Sequence, residues 1–211
     1  MGGMPKSRSD VIHILTNCEL RRILCSVLYE MDEYRPPAGA AHQQERNEYT
    51  MGFIDKLFGK KLEGIYAPVA GKAVAITEVP DPTFAEGMLG NGIAIEPAEG
   101  KVYAPCDATV DMMFDTGHAV SLVSDTGVEI LIHVGLETVS LAGKPFTVHV
   151  HNGDKVKKGQ LLLEVDLEAV KAAGLPTITP VLICNTDAYP TFKTHVGKEV
   201  SNEDVVIELG K

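Results

Sequence analysis

Residues 118–135 read His118-Ala-Val-Ser-Leu-Val-Ser-Asp-Thr-Gly127-Val-Glu-Ile-Leu-Ile-His133-Val-Gly135. Two apolar, β-branched segments flank Ser124-Asp-Thr-Gly127, which has the composition of a turn, so the stretch predicts a β-hairpin. Pairing 118–124 with 127–133 sets His118 opposite His133 at the open end of that hairpin. A polar imidazole ending so apolar a strand is costly unless it is bonded or placed at a surface. Gly135 follows at once and leaves room for close approach.

The same texture extends outward from residue 62 to the end. IYAPVAG (65–71), KAVAIT (72–77), GIAIEP (92–97), KVYAP (101–105), ATVDMMF (108–114), FTVHV (146–150), QLLLEVD (160–166), PVLICN (180–185) and DVVIEL (204–209) are short, β-rich and separated by Gly, Pro, Asn or Asp. Only LEAVKAA (167–173) reads as a helical turn or two. Eleven such segments, counting the two of the hairpin, predict an all-β fold: an antiparallel β-sandwich or partly closed barrel, not a doubly wound α/β sheet. Ile65-Tyr-Ala-Pro and Val102-Tyr-Ala-Pro, each followed by a turn, suggest an internal duplication.

A chain of 211 residues, 45% of them hydrophobic, accommodates one ordinary domain and an appendage. Its formal net charge of −10 argues against a nucleic-acid partner, which needs a basic face. Cys18, Cys25, Cys106 and Cys184 are too few and scattered for a disulfide framework, and a reducing cytoplasm is the expected compartment. No apolar run reaches the roughly 20 residues of a membrane span.

The charges divide the chain near residue 50. All five arginines lie before it, whereas residues 51–211 hold 13 lysines, 22 acids and a net −9. Residues 1–50 are expected to be an extension, weakly helical or without fixed structure and ending in a small, polar linker. Met51 then looks like a fresh start, which makes 1–50 a candidate upstream read-through absent from the native protein. In residues 51–61, Phe53, Ile54, Leu57 and Phe58 share one helical face. This leader either packs on the domain that begins at residue 62 or touches a membrane surface weakly.

Gly127-Val-Glu-Ile-Leu-Ile-His133-Val-Gly-Leu-Glu-Thr-Val139 resembles the phosphorylation-site signature of the glucose-type enzyme IIA of the bacterial phosphoenolpyruvate:sugar phosphotransferase system. The resemblance runs over about 150 residues, from Ile65-Tyr-Ala-Pro-Val-Ala-Gly to Thr177-Ile-Thr-Pro-Val-Leu-Ile-Cys-Asn-Thr. It implies a duplicated hybrid-motif β-sandwich and a phosphotransferase component that works through a phosphohistidine. By this likeness His133 is the acceptor, through Nε2, of a phosphoryl group from the phosphocarrier HPr. It passes that group to a cysteine of the IIB domain of a glucose-type permease. His118 matches the second active-site histidine and Thr116 the hydroxyl that orients it. Phe84, Met88, Phe114 and Val139 match the apolar rim that docks partners, with core burial the rival reading for each. Asp81 and Glu137 match acidic rim positions, although relatives often carry Asp where Glu137 stands. A cytoplasmic monomer without a cofactor is expected. No metal is required, although His118 and His133 could share zinc.

A reading from another class is a zinc-dependent, lysostaphin-like peptidase. His149-Val-His151 has metal-ligand spacing on a strand, and His133-Val-Gly-Leu-Glu137 imitates the other half of such a site. A biotinyl or lipoyl carrier is excluded for want of a Met-Lys pair in the hairpin region. Cys106 and Cys184 read as small core residues.

Overall fold

The structure, a computed structural model, describes residues 62–211. The expectations for residues 1–50 and 51–61 therefore lie outside the described residues. Fourteen strands are present among those described: β1 (Glu63–Tyr66), β2 (Gly71–Ala75), β3 (Asn91–Pro97), β4 (Lys101–Tyr103), β5 (Ala108–Met113), β6 (Ala119–Ser124), β7 (Glu129–His133), β8 (Phe146–Val148), β9 (Lys155–Val156), β10 (Leu161–Val165), β11 (Thr179–Ile183), β12 (Thr191–Thr194), β13 (Lys198–Val200) and β14 (Val205–Gly210). Two short helices accompany them, α1 (Pro82–Ala85) and α2 (Leu167–Ala172), together with short 3-10 turns. Every strand pair is antiparallel. The all-β architecture agrees with the sequence.

The strands form one eight-stranded sheet, in the order β13-β2-β3-β11-β7-β6-β5-β9, and two three-stranded sheets, β1-β14-β12 and β4-β10-β8. Ile93, Ile95, Val120, Leu122, Ile130, Ile132, Val181 and Ile183 project from the large sheet into one core with Ile65, Leu162, Leu163, Ile207 and Leu209. Each such fully buried side chain contributes about 1.5–3 kcal/mol relative to exposure. The other face is covered too at the sheet's centre, where Ala94, Leu131 and Leu182 are buried. That double burial explains why β7 and β11 read as continuous apolar runs rather than alternating ones. By the strand period of two, His133 shares this second face with Leu131, opposite Ile130 and Ile132.

The two Tyr-Ala-Pro segments meet. Tyr66 N–H donates to the Pro105 carbonyl at 3.1 Å, and Tyr103 N–H donates to the Pro68 carbonyl at 2.7 Å. Their surroundings correspond as well: β1 pairs with β14 as β4 pairs with β10, and β2 pairs with β13 as β5 pairs with β9. The repeat read in the sequence is thus a repeat in space.

The hairpin forms around Gly127, whose φ of +91° suits glycine. Its register differs by one residue from that expected, since His133 lies opposite Ala119 rather than His118. A regular pleat would then send the two imidazoles to opposite faces. His118 escapes this because it stands in the bend before β6, just after Gly117 at φ +69°. Its carbonyl still accepts from Val134 N–H at 2.8 Å, so the ladder continues while the side chain turns.

Candidate active site

The two imidazoles lie 5.0 Å apart, centroid to centroid, nearly perpendicular at 76°. Phe84 of α1 contacts the His133 ring at 5.1 Å, and Phe114 contacts the His118 ring at 5.2 Å. His133 is 5% exposed and His118 8%, so both open to solvent through little of their surface.

Burial sets their charge. It pushes His118 down to about 3, and the neighbouring His133 acts in the same direction. Burial lowers His133 as well, against the opposing pull of the Gly135 carbonyl and of Asp81. Both rings are therefore neutral near pH 7. His133 Nδ1 stands 2.7 Å from the Gly135 carbonyl oxygen, which can only accept. Nδ1 must donate, and a neutral ring has one N–H, so the lone pair is on Nε2. His118 Nδ1 bonds the Thr116 hydroxyl. With that hydroxyl donating, the Nε2–H of His118 is free to donate in turn.

The local chain explains these placements. Gly135 adopts φ +72°, and a Cβ there would meet Thr138 Cγ2 at 2.6 Å and the Pro176 carbonyl oxygen at 2.9 Å. Only glycine lets the backbone turn sharply enough to bring its own carbonyl back onto the preceding histidine. On the other side, Asp81 caps α1, its carboxylate accepting from Thr83 N–H at 2.8 Å with Pro82 at the first helical position. The cap fixes the short helix that presents Phe84 to His133.

The remaining sequence-selected residues spread around this centre. Phe84 is buried at 4% exposure, Phe114 and Val139 are half-buried, and Met88 is exposed at 41%. Glu137 is exposed and adopts the left-handed region at φ +58°, where Asp or Asn costs less than Glu. Sequence reasoning missed the carbonyl of Gly135, the capping role of Asp81 and the buried Thr138. Asp81-Pro82 was itself a helix-start signal, and Thr138 stood within the signature without a role.

The peptidase residues do not come together. His149 is exposed and pairs with Glu164 at 3.0 Å, while His151 faces Asp154 at 3.8 Å. Residues 149–151 also lie beyond the end of β8, so the strand that was to align them is absent. Among the described residues no group of three or more His, Cys, Asp or Glu is placed to hold a metal ion.

A family model for the phosphoenolpyruvate-dependent sugar phosphotransferase system, EIIA 1, matches residues 63–189, more than half of the chain. The chain belongs to that EIIA family.

Relatives of this EIIA chain agree. It is 47% identical to the "PTS system glucose-specific EIIA component" of Bacillus cereus over 146 residues, 67% of this chain and 88% of that protein. It is 42% identical to the "PTS system glucose-specific EIICBA component" of Streptococcus pneumoniae over 166 residues, 79% of this chain. There it spans only 22% of the relative's length, and 21% of a β-glucoside-specific EIIBCA component of Bacillus subtilis. Among solved structures, glucose permease IIA from Mycoplasma capricolum matches at a TM-score of 0.66 and 36% identity, covering 70% of this chain and 96% of that one. The fold and the phosphotransferase-system character of this EIIA chain rest on these likenesses. No helix of the described residues is long and apolar enough to cross a membrane.

Proposed function

We propose that this chain accepts a phosphoryl group from phospho-HPr on His133 Nε2 and passes it to a cysteine of the IIB domain of a glucose-type permease. The observation that carries the reading is the bond from His133 Nδ1 to the Gly135 carbonyl. It leaves Nε2 unprotonated beside a second imidazole in an apolar setting. The relative named as an EIICBA component, in which IIA is joined to IIC and IIB, supports a IIB partner.

The chemistry balances without a cofactor. Nε2 of His133 attacks phosphorus as the bond from phosphorus to HPr breaks, and HPr leaves with that electron pair. In the second step a IIB thiolate attacks phosphorus, and Nε2 recovers its lone pair. Catalysis of this kind is largely placement and charge stabilisation. His118, oriented by Thr116, donates Nε2–H to the phosphoryl oxygens, an interaction strengthened where water is scarce. Phe114, Met88 and Val139 form the apolar surface on which HPr and IIB dock in turn, while the buried Phe84 packs against the His133 ring. Asp81 and Glu137 meet their basic side chains, and the overall negative charge speeds those encounters. In this reading residues 62–211 are the phosphocarrier, 51–61 its leader, and 1–50 take no part in the chemistry.

Incubation with phosphoenolpyruvate, enzyme I and HPr tests the assignment. Acid-labile phosphate is expected on the wild-type chain and not on His133→Ala. His118→Gln is expected to accept phosphate but transfer it poorly. Label surviving in His133→Ala overturns the proposal.

A further inference from the structure

Thr138 has no role in the exchange just described, yet it is wholly buried at 0% exposure, in the first position of a 3-10 turn four residues beyond Val134. Its hydroxyl donates to the Val134 carbonyl at 2.7 Å. Its methyl carbon lies 2.6 Å from where a Gly135 Cβ would stand, so it packs on the α-carbon of Gly135.

The short segment from 133 to 138 is held at four of its backbone polar groups on either side of Gly135. Val134 N–H donates to the His118 carbonyl at 2.8 Å, and Leu136 N–H donates to the Pro176 carbonyl at 3.0 Å. The Gly135 carbonyl accepts from His133 Nδ1, and the Val134 carbonyl accepts from Thr138. The peptide carrying the Gly135 carbonyl is therefore fixed from one side by Pro176. The peptide before it is held at the Val134 carbonyl by Thr138, and the one before that at Val134 N–H by the His118 carbonyl. Gly135 between them is the one residue here with the backbone freedom of glycine, at φ +72°. Without a restraint, that freedom lets its carbonyl swing off the imidazole.

We propose that Thr138 is a positioning residue: by tying down the Val134 carbonyl and packing on Gly135, it aims the Gly135 carbonyl at His133 Nδ1 and so keeps Nε2 as the nucleophile. This inference rests on His133 being the phosphoryl acceptor. Thr138 acts two bonds removed, touching neither the imidazole nor the phosphoryl group.

Nitrogen-15 NMR of the full chain, labelled at histidine, reads the tautomer directly, whatever the protein's partners. The wild-type His133 resonances are expected to show a protonated Nδ1 and an unprotonated Nε2. Thr138→Val keeps the shape and removes the hydroxyl. Its two ring nitrogens are expected to move toward averaged shifts, with phosphoryl acceptance from HPr falling on the order of tenfold or more, the scale of effects from small misplacements. Thr138→Ser restores the hydroxyl and is expected to restore both readouts. If Thr138→Val does not fold, Thr138→Ala set against Thr138→Ser carries the same comparison. An unchanged tautomer in the hydroxyl-less variant overturns the role of Thr138. A wild-type chain phosphorylated elsewhere than His133 instead overturns the function on which the role rests.

Discussion

Replacing His118 with glutamine removes an imidazole that the fold holds neutral, and the loss should be legible in how stability depends on pH. In the folded protein burial, aided by His133, pushes His118 down to about 3. In the unfolded chain it returns to about 6.5. The folded pKa is depressed, so between those values the unfolded state binds more protons. The stability that neutrality confers is full above about 6.5 and is lost progressively as pH falls towards 3. From pH 7 to pH 5 one such histidine accounts for about 2 kcal/mol, a figure set by the unfolded pKa alone because the folded ring stays neutral throughout. Urea titrations of wild type and His118→Gln at both pH values isolate it, since carboxylates and the other histidines contribute to both proteins. Wild type is expected to lose about 2 kcal/mol more than the variant over that interval, or roughly 1 M in urea midpoint at a typical slope. Parallel pH profiles would refute the argument, showing that His118 protonates freely in the fold.

Three further outcomes follow from particular residues. Asp81→Asn keeps an acceptor for Thr83 N–H and should leave stability unchanged while slowing association with a basic partner at low salt. Asp81→Ala should also lose about 1 kcal/mol in urea unfolding through the missing cap. Ala142 is exposed at φ +50°, a conformation that costs a non-glycine residue about 1 kcal/mol, so Ala142→Gly should raise the unfolding free energy measured in urea by part of that amount. Burial first, then Glu63, Asp107 and Asp125, push the Cys106 thiol up to about 12. Peptide mapping after brief alkylation at pH 8 should find Cys106 unmodified in the folded protein and modified in urea.

What the sequence made legible follows from where structure is locally encoded. Apolar β-branched runs bounded by turns located β3, β5, β6, β7, β10, β11 and β14, and Leu167–Ala173 marked α2, capped by Asp166. The strands it missed are β9, β12 and β13. Lys155–Val156, Thr191–Thr194 and Lys198–Val200 are short and mostly exposed, and they are extended because β5, β14 and β2 offer them partners. No pattern in their own residues carries that information. The hairpin register slipped by one for a similar reason. The bend at Gly117 and His118 is decided by what packs around it, and an alternation rule sees only the strand. His118 and His133 were still selected together, because being near one open end survives a one-residue shift. The proton on His133 Nδ1 was out of reach of sequence reasoning, since it depends on a backbone carbonyl two residues away, and every residue has one.

The central claim is that His133 presents a free Nε2 for phosphorylation. The most direct test is to phosphorylate the nitrogen-15-labelled chain with phosphoenolpyruvate, enzyme I and HPr and ask which ring nitrogen couples to phosphorus. The geometry predicts coupling to Nε2 of His133, with Nδ1 still protonated and bonded to the Gly135 carbonyl. Phosphorus on Nδ1, or on the ring of His118, contradicts it.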